Sequence, residues 1–574
     1  MPDPITVEIL RNALNSIALE MNANLARSAF SPIIYEMKDC SVALFNEQAE
    51  LLGQAPGLPI FLGALDEAVK IVRAHFTPRG IQEGDVYALN DPYLEGSHLN
   101  DVTVISPIFY QEELVGFTAT KAHWLDMGGK DASVSVDTTE IYQEGLRLGP
   151  IRLYQAGQPQ TDILDIIARN SRLPRSIIGD MNAQVAACRT GERRYQELLD
   201  RFGLPTVRAA VAEIFAQAEQ ADRAAIAAIP DGVYEADGYL DSDGHTLDPI
   251  YIRVKVTVEG QDIHIDLTGS SAQRRGCTNC GLAQTISAAR LAYKFLINPH
   301  HPPNGGHFRS LSLTAPLGTI FSAQEPAACF FYAPHLGLMI ELFLKALSQA
   351  LPGRVPAGQP SDQMNFMMTG KTRHGELFVT GEASAVGWGA LPHEDGLNSM
   401  VNYMAGDLKN IPAEVEEAKY PLRVTARTLE VDSGGAGRQR GGLALLKEYQ
   451  PIGPDCRLLL WLERTVTPGW GVAGGQPGRT ARCIVDPGGA GETMLKKANH
   501  RPIPAGVIIR CYTAGGGGYG PAYERNIQAV LDDLLDGYIT PQAAEGLYGL
   551  RFREGSVEVD QAATQQARLE LAQG

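Results

Sequence analysis

Apolar residues recur at helical spacing along the first 28 positions: Leu10, Leu14, Ile17, Met21 and Leu25 fall three or four apart, with Arg11, Asn15, Asn22 and Asn24 between them. That period lines one face of a helix. It predicts a core-packing helix over 4–28, with Thr6 placed to cap a slightly shorter version. The same period returns over 61–76 at Leu62, Leu65, Val69, Val72 and Phe76, and Pro78 stops it. In between, Val42-Ala43-Leu44-Phe45 reads as a strand. Three further strands are predicted at 85–90, 101–109 and 114–122, the last two joined through Tyr110–Glu113. In an antiparallel hairpin the start of one strand lies beside the end of its neighbour. Residues 161–228 return to a helical pattern, broken at Pro205 and ended by Pro230-Asp231-Gly232.

From 233 the period changes again. Tyr251–Val258 and Asp262–Leu267 alternate apolar and polar residues around Glu259-Gly260, the signature of a hairpin with one solvated face. His264 and Asp266 share that face and read as solvated. Helices are predicted over 285–296 and 335–350, over 526–535, and from Thr540-Pro541 onward. Gly is concentrated after residue 430 and Pro recurs there, which predicts many turns and a β-rich region. The pattern as a whole gives an α+β, multi-domain chain. Residues 1–230 are expected to form an N-terminal α+β domain with a helical segment, and 231–574 a β-rich, Gly-rich region with terminal helices.

Composition narrows the function classes. With 44% hydrophobic and 20% charged residues the chain is globular. A net charge of −17 argues against nucleic acid or an anionic membrane as the main partner. No apolar run approaches a membrane span, and the start, Met-Pro-Asp-Pro-Ile-Thr, has neither basic nor apolar leader character. The eight Cys are dispersed, apart from Cys277 and Cys280. The expectation is a cytoplasmic protein with free thiols. The lone Cys-x-x-Cys lacks the second pair that a zinc finger needs.

The candidate chemistry lies at the strand ends. Asn90 to Asp101 reads Asn-Asp-Pro-Tyr-Leu-Glu-Gly-Ser-His-Leu-Asn-Asp, and Lys121 to Gly129 reads Lys-Ala-His-Trp-Leu-Asp-Met-Gly-Gly. Loops held by strands commonly carry binding groups. His98 and Asp101 converge only if the chain bends after Gly96, and the predicted hairpin brings His123 to the same end. Two imidazoles with carboxylates suit a divalent metal. The same residues, taken singly, also fit turns and ordinary hydrogen bonds. The His300–His307 segment holds more His, but its Pro-Asn-Gly-Gly core reads as a turn. Gly515 to Gly518 could cradle a phosphate through backbone N–H groups, although no Lys-Ser/Thr follows to make a Walker A loop.

These motifs resemble the hydantoinase B/oxoprolinase family: Asn-Asp-Pro-Tyr at 90–93, His98-x-x-Asp101, His123, and Asp126 before Gly128-Gly129. The resemblance extends to Gly179–Gln184, Pro468–Gly475 and Ala514–Gly520, so it covers nearly the whole chain. It departs where the family's Gly-Asp-Pro reads Gly520-Pro521. The resemblance implies that His98, Asp101 and His123 bind a metal, with Asp39 as a further ligand; mixed nitrogen and oxygen donors suit zinc, manganese or iron. Asp126 and Asp91 are expected to support the ligands. The implied activity is ATP-dependent opening of a cyclic amide such as a hydantoin, oxoproline or lactam. ATP and Mg would act in a hydantoinase A-like partner, in an α2β2 or similar assembly. Two alternatives use the same residues: an alpha-type subunit of a ketone carboxylase, and a non-catalytic, metal-stabilised subunit.

Overall fold

The computed structural model describes residues 2–362, 364–556 and 558–573. The first predicted helix forms as Pro4–Ser28. Its cap is Asp3 rather than Thr6, because the Asp3 carboxylate reaches the amides of Ile5 and Thr6 while Pro4 occupies the first turn, where no N–H is needed. The stripe from Leu10 to Leu25 is buried. The 61–76 pattern forms as two helices, Pro59–Leu62 and Leu65–Phe76, separated by Gly63-Ala64.

A seven-stranded antiparallel sheet organises the N-terminal part. Its order is Leu51–Gln54, Cys40–Asn46, Glu113–His123, Asp101–Tyr110, Val86–Leu89, Ile151–Gln155 and Gln158–Pro159. Strand alternation splits its side chains between two layers. Ala43, Phe45, Tyr87, Ile105, Phe117 and Ala119 pack against Val69, Val72 and Phe76 of the helix Leu65–Phe76. Val102 and Val104 on the other face meet Met181, Val185 and Cys188 of the helix Pro174–Phe202. The central hairpin pairs Asp101 directly opposite His123.

The alternating segment after 233 forms a four-stranded sheet of Leu311–Thr314, Asp262–Asp266, Ile250–Glu259 and Gly232–Leu240. It shares a core with the helices Leu282–Leu296 and Ala333–Leu347. Two more sheets follow, one of four strands and one of five. A separate core holds these two together, with Phe366, Met368 and Leu458 on one side and Tyr449, Cys483 and Ile509 on the other. The largest core cluster is continuous from Val7 to Trp461. After the β-rich part come the helices Ile527–Leu535, Pro541–Gly546 and Gln561–Gln573; the periodicity of the sequence did not predict the last. No helix among the described residues is long and apolar enough to cross a membrane.

The glycine run 515–518 is a packing hub and not an open phosphate cradle. Its amides are already spent: Gly515, Gly516, Gly517 and Gly518 donate to the carbonyls of Arg479, Gly442, Gly358 and Gln476 at 2.9–3.0 Å. A Cβ at Gly515 would stand 1.9 Å from the Ser433 carbonyl oxygen, so only glycine lets the backbones approach.

Candidate metal centre

The site grows from the chain geometry just before and after the central hairpin. Asp91 caps the short helix Pro92–Glu95 through the Tyr93 amide. Gly96 then turns the chain at φ +98, pressed so closely to Gln284 that a Cβ would lie 2.2 Å from the Gln284 amide nitrogen. The turn continues with the Asp101 amide donating to the His98 carbonyl at 3.0 Å. This local bend points His98 back over the start of the strand, where the hairpin register has already placed Asp101 opposite His123.

One ligating atom from each of His98, Asp101 and His123 lies within 4.8 Å of the others. Asp101 lies between the two rings: Oδ2 is 3.3 Å from His98 Nε2, and Oδ1 is 3.2 Å from His123 Nδ1. All three side chains are buried. Asp39 approaches from the loop before the first strand. Its carbonyl accepts the His123 amide at 3.2 Å, and the residue lines the same cavity of about 90 Å³, but its carboxylate falls outside the group of ligating atoms that lie within 4.8 Å of one another.

The electrostatics favour a cation in this cavity. Burial pushes the His98 imidazole down to about 4, despite the pull of Asp101, so it is neutral with a free lone pair. Burial also drives Asp39 up to about 7, which His123 only partly offsets. Burial opposes the charge on Asp101 too, but the two imidazoles outweigh it and hold that carboxyl below its usual range. Three of the buried atoms that have no hydrogen-bond partner among the described residues belong to these side chains: Asp39 Oδ1, His98 Nδ1 and His123 Nε2. Each such orphan costs about 1–3 kcal/mol. Nitrogen and oxygen donors left unpaired together fit a divalent metal, whose binding would satisfy them.

Two of the expected supporting residues point elsewhere. Asp126 accepts from Ser133, Ser171 and both the backbone and side chain of Arg172, and makes no hydrogen bond to His123. The reason is that the strand ends at His123, and the Trp124 amide turns away to the Asn100 carbonyl. Asp91 is occupied with its helix cap and with Arg147, 3.5 Å away. Asp101 itself contacts both imidazoles.

Other groups at the site were not singled out from the sequence. The Tyr332 hydroxyl donates to Asp101 Oδ2 at 3.0 Å, and its ring and that of Phe330 flank His98. Buried Glu95 accepts from Thr103 and lies 3.5 Å from the buried ammonium of Lys121. Thr103 and Lys121 each lie two residues along their strands from Asp101 and His123, hence on the same face. Burial raises Glu95 to about 7, against the opposing charge of Lys121. The alternation 101/103 and 121/123 was the available signal for this pair.

Comparison with known proteins agrees with this architecture. The family model described as hydantoinase B/oxoprolinase matches residues 3–522. The beta chain of the caprolactamase of Pseudomonas jessenii is 33% identical over 588 residues, covering 98% of each chain. A Pseudomonas sp. (strain NS671) protein described as the B-type subunit of a candidate D-/L-hydantoinase is 32% identical over 584 residues, covering 99% of this chain and 98% of its own. The crystal structure of the ATP-dependent caprolactamase from P. jessenii superposes with a TM-score of 0.92 at 30% identity, over 99% of this chain and 100% of that one. An acetone carboxylase structure also reaches 0.92, at 21% identity over 100% of this chain and 83% of that one, a likeness of fold alone. With the motif residues assembled at one hairpin end and the match running through both the N-terminal sheet and the glycine hub, the chain belongs to the hydantoinase B/oxoprolinase family.

Proposed function

We propose that this chain is the metal-dependent hydrolytic subunit of an ATP-dependent cyclic amidase, acting on a ring amide that a hydantoinase A-like partner has phosphorylated. The observation that carries the reading is the group of His98, Asp101 and His123, whose ligating atoms lie within 4.8 Å of one another in a buried cavity that Asp39 also lines. A ring amide is a poor electrophile, so it needs prior activation and a positioned nucleophile. A divalent ion held by His98, Asp101 and His123, with Asp39 as a further ligand, would supply Lewis-acid polarisation and a more acidic water. The chain's own residues prepare that site. Asp101 fixes the orientation of both imidazoles, and the Tyr332 hydroxyl fixes Asp101. Phe61, Phe330 and Phe331 line the cavity and limit access of bulk water to an activated substrate.

Relatives described as chains of a caprolactamase and of a hydantoinase support this substrate class. Their names as subunits support a partner, in an α2β2 or similar complex where ATP and Mg would act. The fold shared with acetone carboxylase supports a second reading, ketone carboxylation, in which the same ligands would serve. The test is to assay the co-expressed complex, and this chain alone, with ATP against hydantoins, oxoproline, lactams and small ketones. The expected result is ring opening by the complex and no coupled turnover by the isolated chain. Ketone-dependent bicarbonate fixation would select the second reading. ATP-coupled turnover by the chain alone would remove the two-subunit account.

A further inference from the structure

A second cavity of about 730 Å³ lies behind the metal centre. Segment 57–63 is the common wall: Leu58, Ile60 and Phe61 line the metal cavity, while Gly57, Pro59, Leu62 and Gly63 line this cleft. Its volume falls within the roughly 300–1,000 Å³ of small-molecule sites. Leu51, Leu62, Leu291, Phe295, Phe308 and Tyr403 give it apolar walls. The 299–309 loop, with the Pro303-Asn304-Gly305 turn and His307, forms one side.

Among the described residues, the charged groups lining the cleft are paired by hydrogen bonds or ion pairs, apart from Lys294. Arg290 grips Asp66 through both terminal guanidinium nitrogens, at 2.6 and 3.0 Å. Lys70 pairs with Asp66 and Glu67, and Arg309 pairs with Glu50 and Glu219. Asp407 is held by Lys409 at 2.6 Å. Lys294 sits one helical turn after Arg290 and lines the same cleft, yet its Nζ is buried with no hydrogen-bond partner among the described residues. Asp222, the carboxylate whose charge acts on it, is engaged instead by His307, Asn298 and Tyr293. Burial pushes the Lys294 ammonium down to about 8, so it stays mostly charged at neutral pH. An ammonium buried with no hydrogen bond to any carboxylate among the described residues is costly, and here it adjoins an apolar cavity large enough to admit an anion.

We propose that this cleft binds a small organic anion, an apolar body ending in a carboxylate, with Lys294 as its counter-ion. The site is distinct from the metal ligands and does not rest on the reaction assigned to them. The test uses the intact chain and three probes of equal length, octanoate, 1-octanol and octylammonium, followed by titration calorimetry and by thermal melting. Octanoate is expected to bind saturably and to raise the melting temperature. Octanol should bind at least about tenfold more weakly, and octylammonium not at all, because a charge-assisted hydrogen bond is at stake. Lys294→Met keeps the side-chain bulk and should weaken octanoate by about tenfold or more, with unchanged metal content. Leu51→Trp should block octanoate by filling the cleft from its rim. Equal affinity of wild-type protein for octanoate and octanol would overturn the proposal, as would undiminished octanoate binding to Lys294→Met or no saturable binding to wild type. The probe series on wild-type protein decides the matter even if a variant fails to fold.

Discussion

The turn at 96–101, which leads into a strand, and the run at 515–520, which follows one, are both glycine-containing loops, and both invite a functional reading. Their polar atoms separate them. In the run, the amides from Gly515 to Gly520 all donate to backbone carbonyls, so nothing remains to hold a ligand. Around the turn, imidazole nitrogens and a carboxylate oxygen are buried without partners. Buried polar groups are nearly always satisfied, so a cluster of exceptions is what marks a site. Glycine in the run serves close approach between backbones. At Gly96 it serves a left-handed turn that aims a ligand.

Substitutions can break this contrast. The largest effect is expected from Gly515→Val. Its side chain would collide with the Ser433 carbonyl and scatter several mutually packed segments, costing about 3 kcal/mol or more. Urea midpoints and soluble yield would show it, and an unchanged midpoint would mean that the run is not a packing hub. Asp126→Asn comes next. It removes a buried carboxylate from Arg172, but Arg172 is 39% exposed, so solvent screening trims the loss to about 2 kcal/mol. Metal content should stay at the wild-type level, because Asp126 holds a loop and not a ligand. A drop in metal with stability intact would return Asp126 to the metal site. The smallest effect is expected from Tyr332→Phe, which deletes only the donor to Asp101. Metal affinity should fall by about tenfold with little change in midpoint. Wild-type affinity in a competitive metal titration would show that the hydroxyl plays no part in positioning.

Much of the hairpin end was legible in the sequence because it is local. The strand periods gave the pairing, the pairing set Asp101 beside His123, and Gly96 allowed the bend that returns His98. Other parts depend on distant chain. Tyr332 reaches Asp101 across 231 residues, from a Cys329–Ala333 stretch that reads simply as apolar core. The gap at Gly63-Ala64, which splits one predicted helix in two, lies where Gly63 packs too closely on Ser287 to carry a side chain, again a partner far along the chain. Asp126 misled by closeness in sequence: three residues beyond a strand end, the chain has already turned away. The glycine run misled because a run built for close packing and a run built to bind phosphate look alike until the partners of their amides are known.

The central claim is that His98, Asp101 and His123, with Asp39, hold a divalent metal. Elemental analysis of the purified wild-type chain beside His98→Ala and His123→Ala tests it most directly, with circular dichroism to confirm that each variant is folded. The account predicts about one zinc, manganese or iron per wild-type chain and less than about a tenth of that in either folded variant. Equal metal content in all three proteins would contradict it.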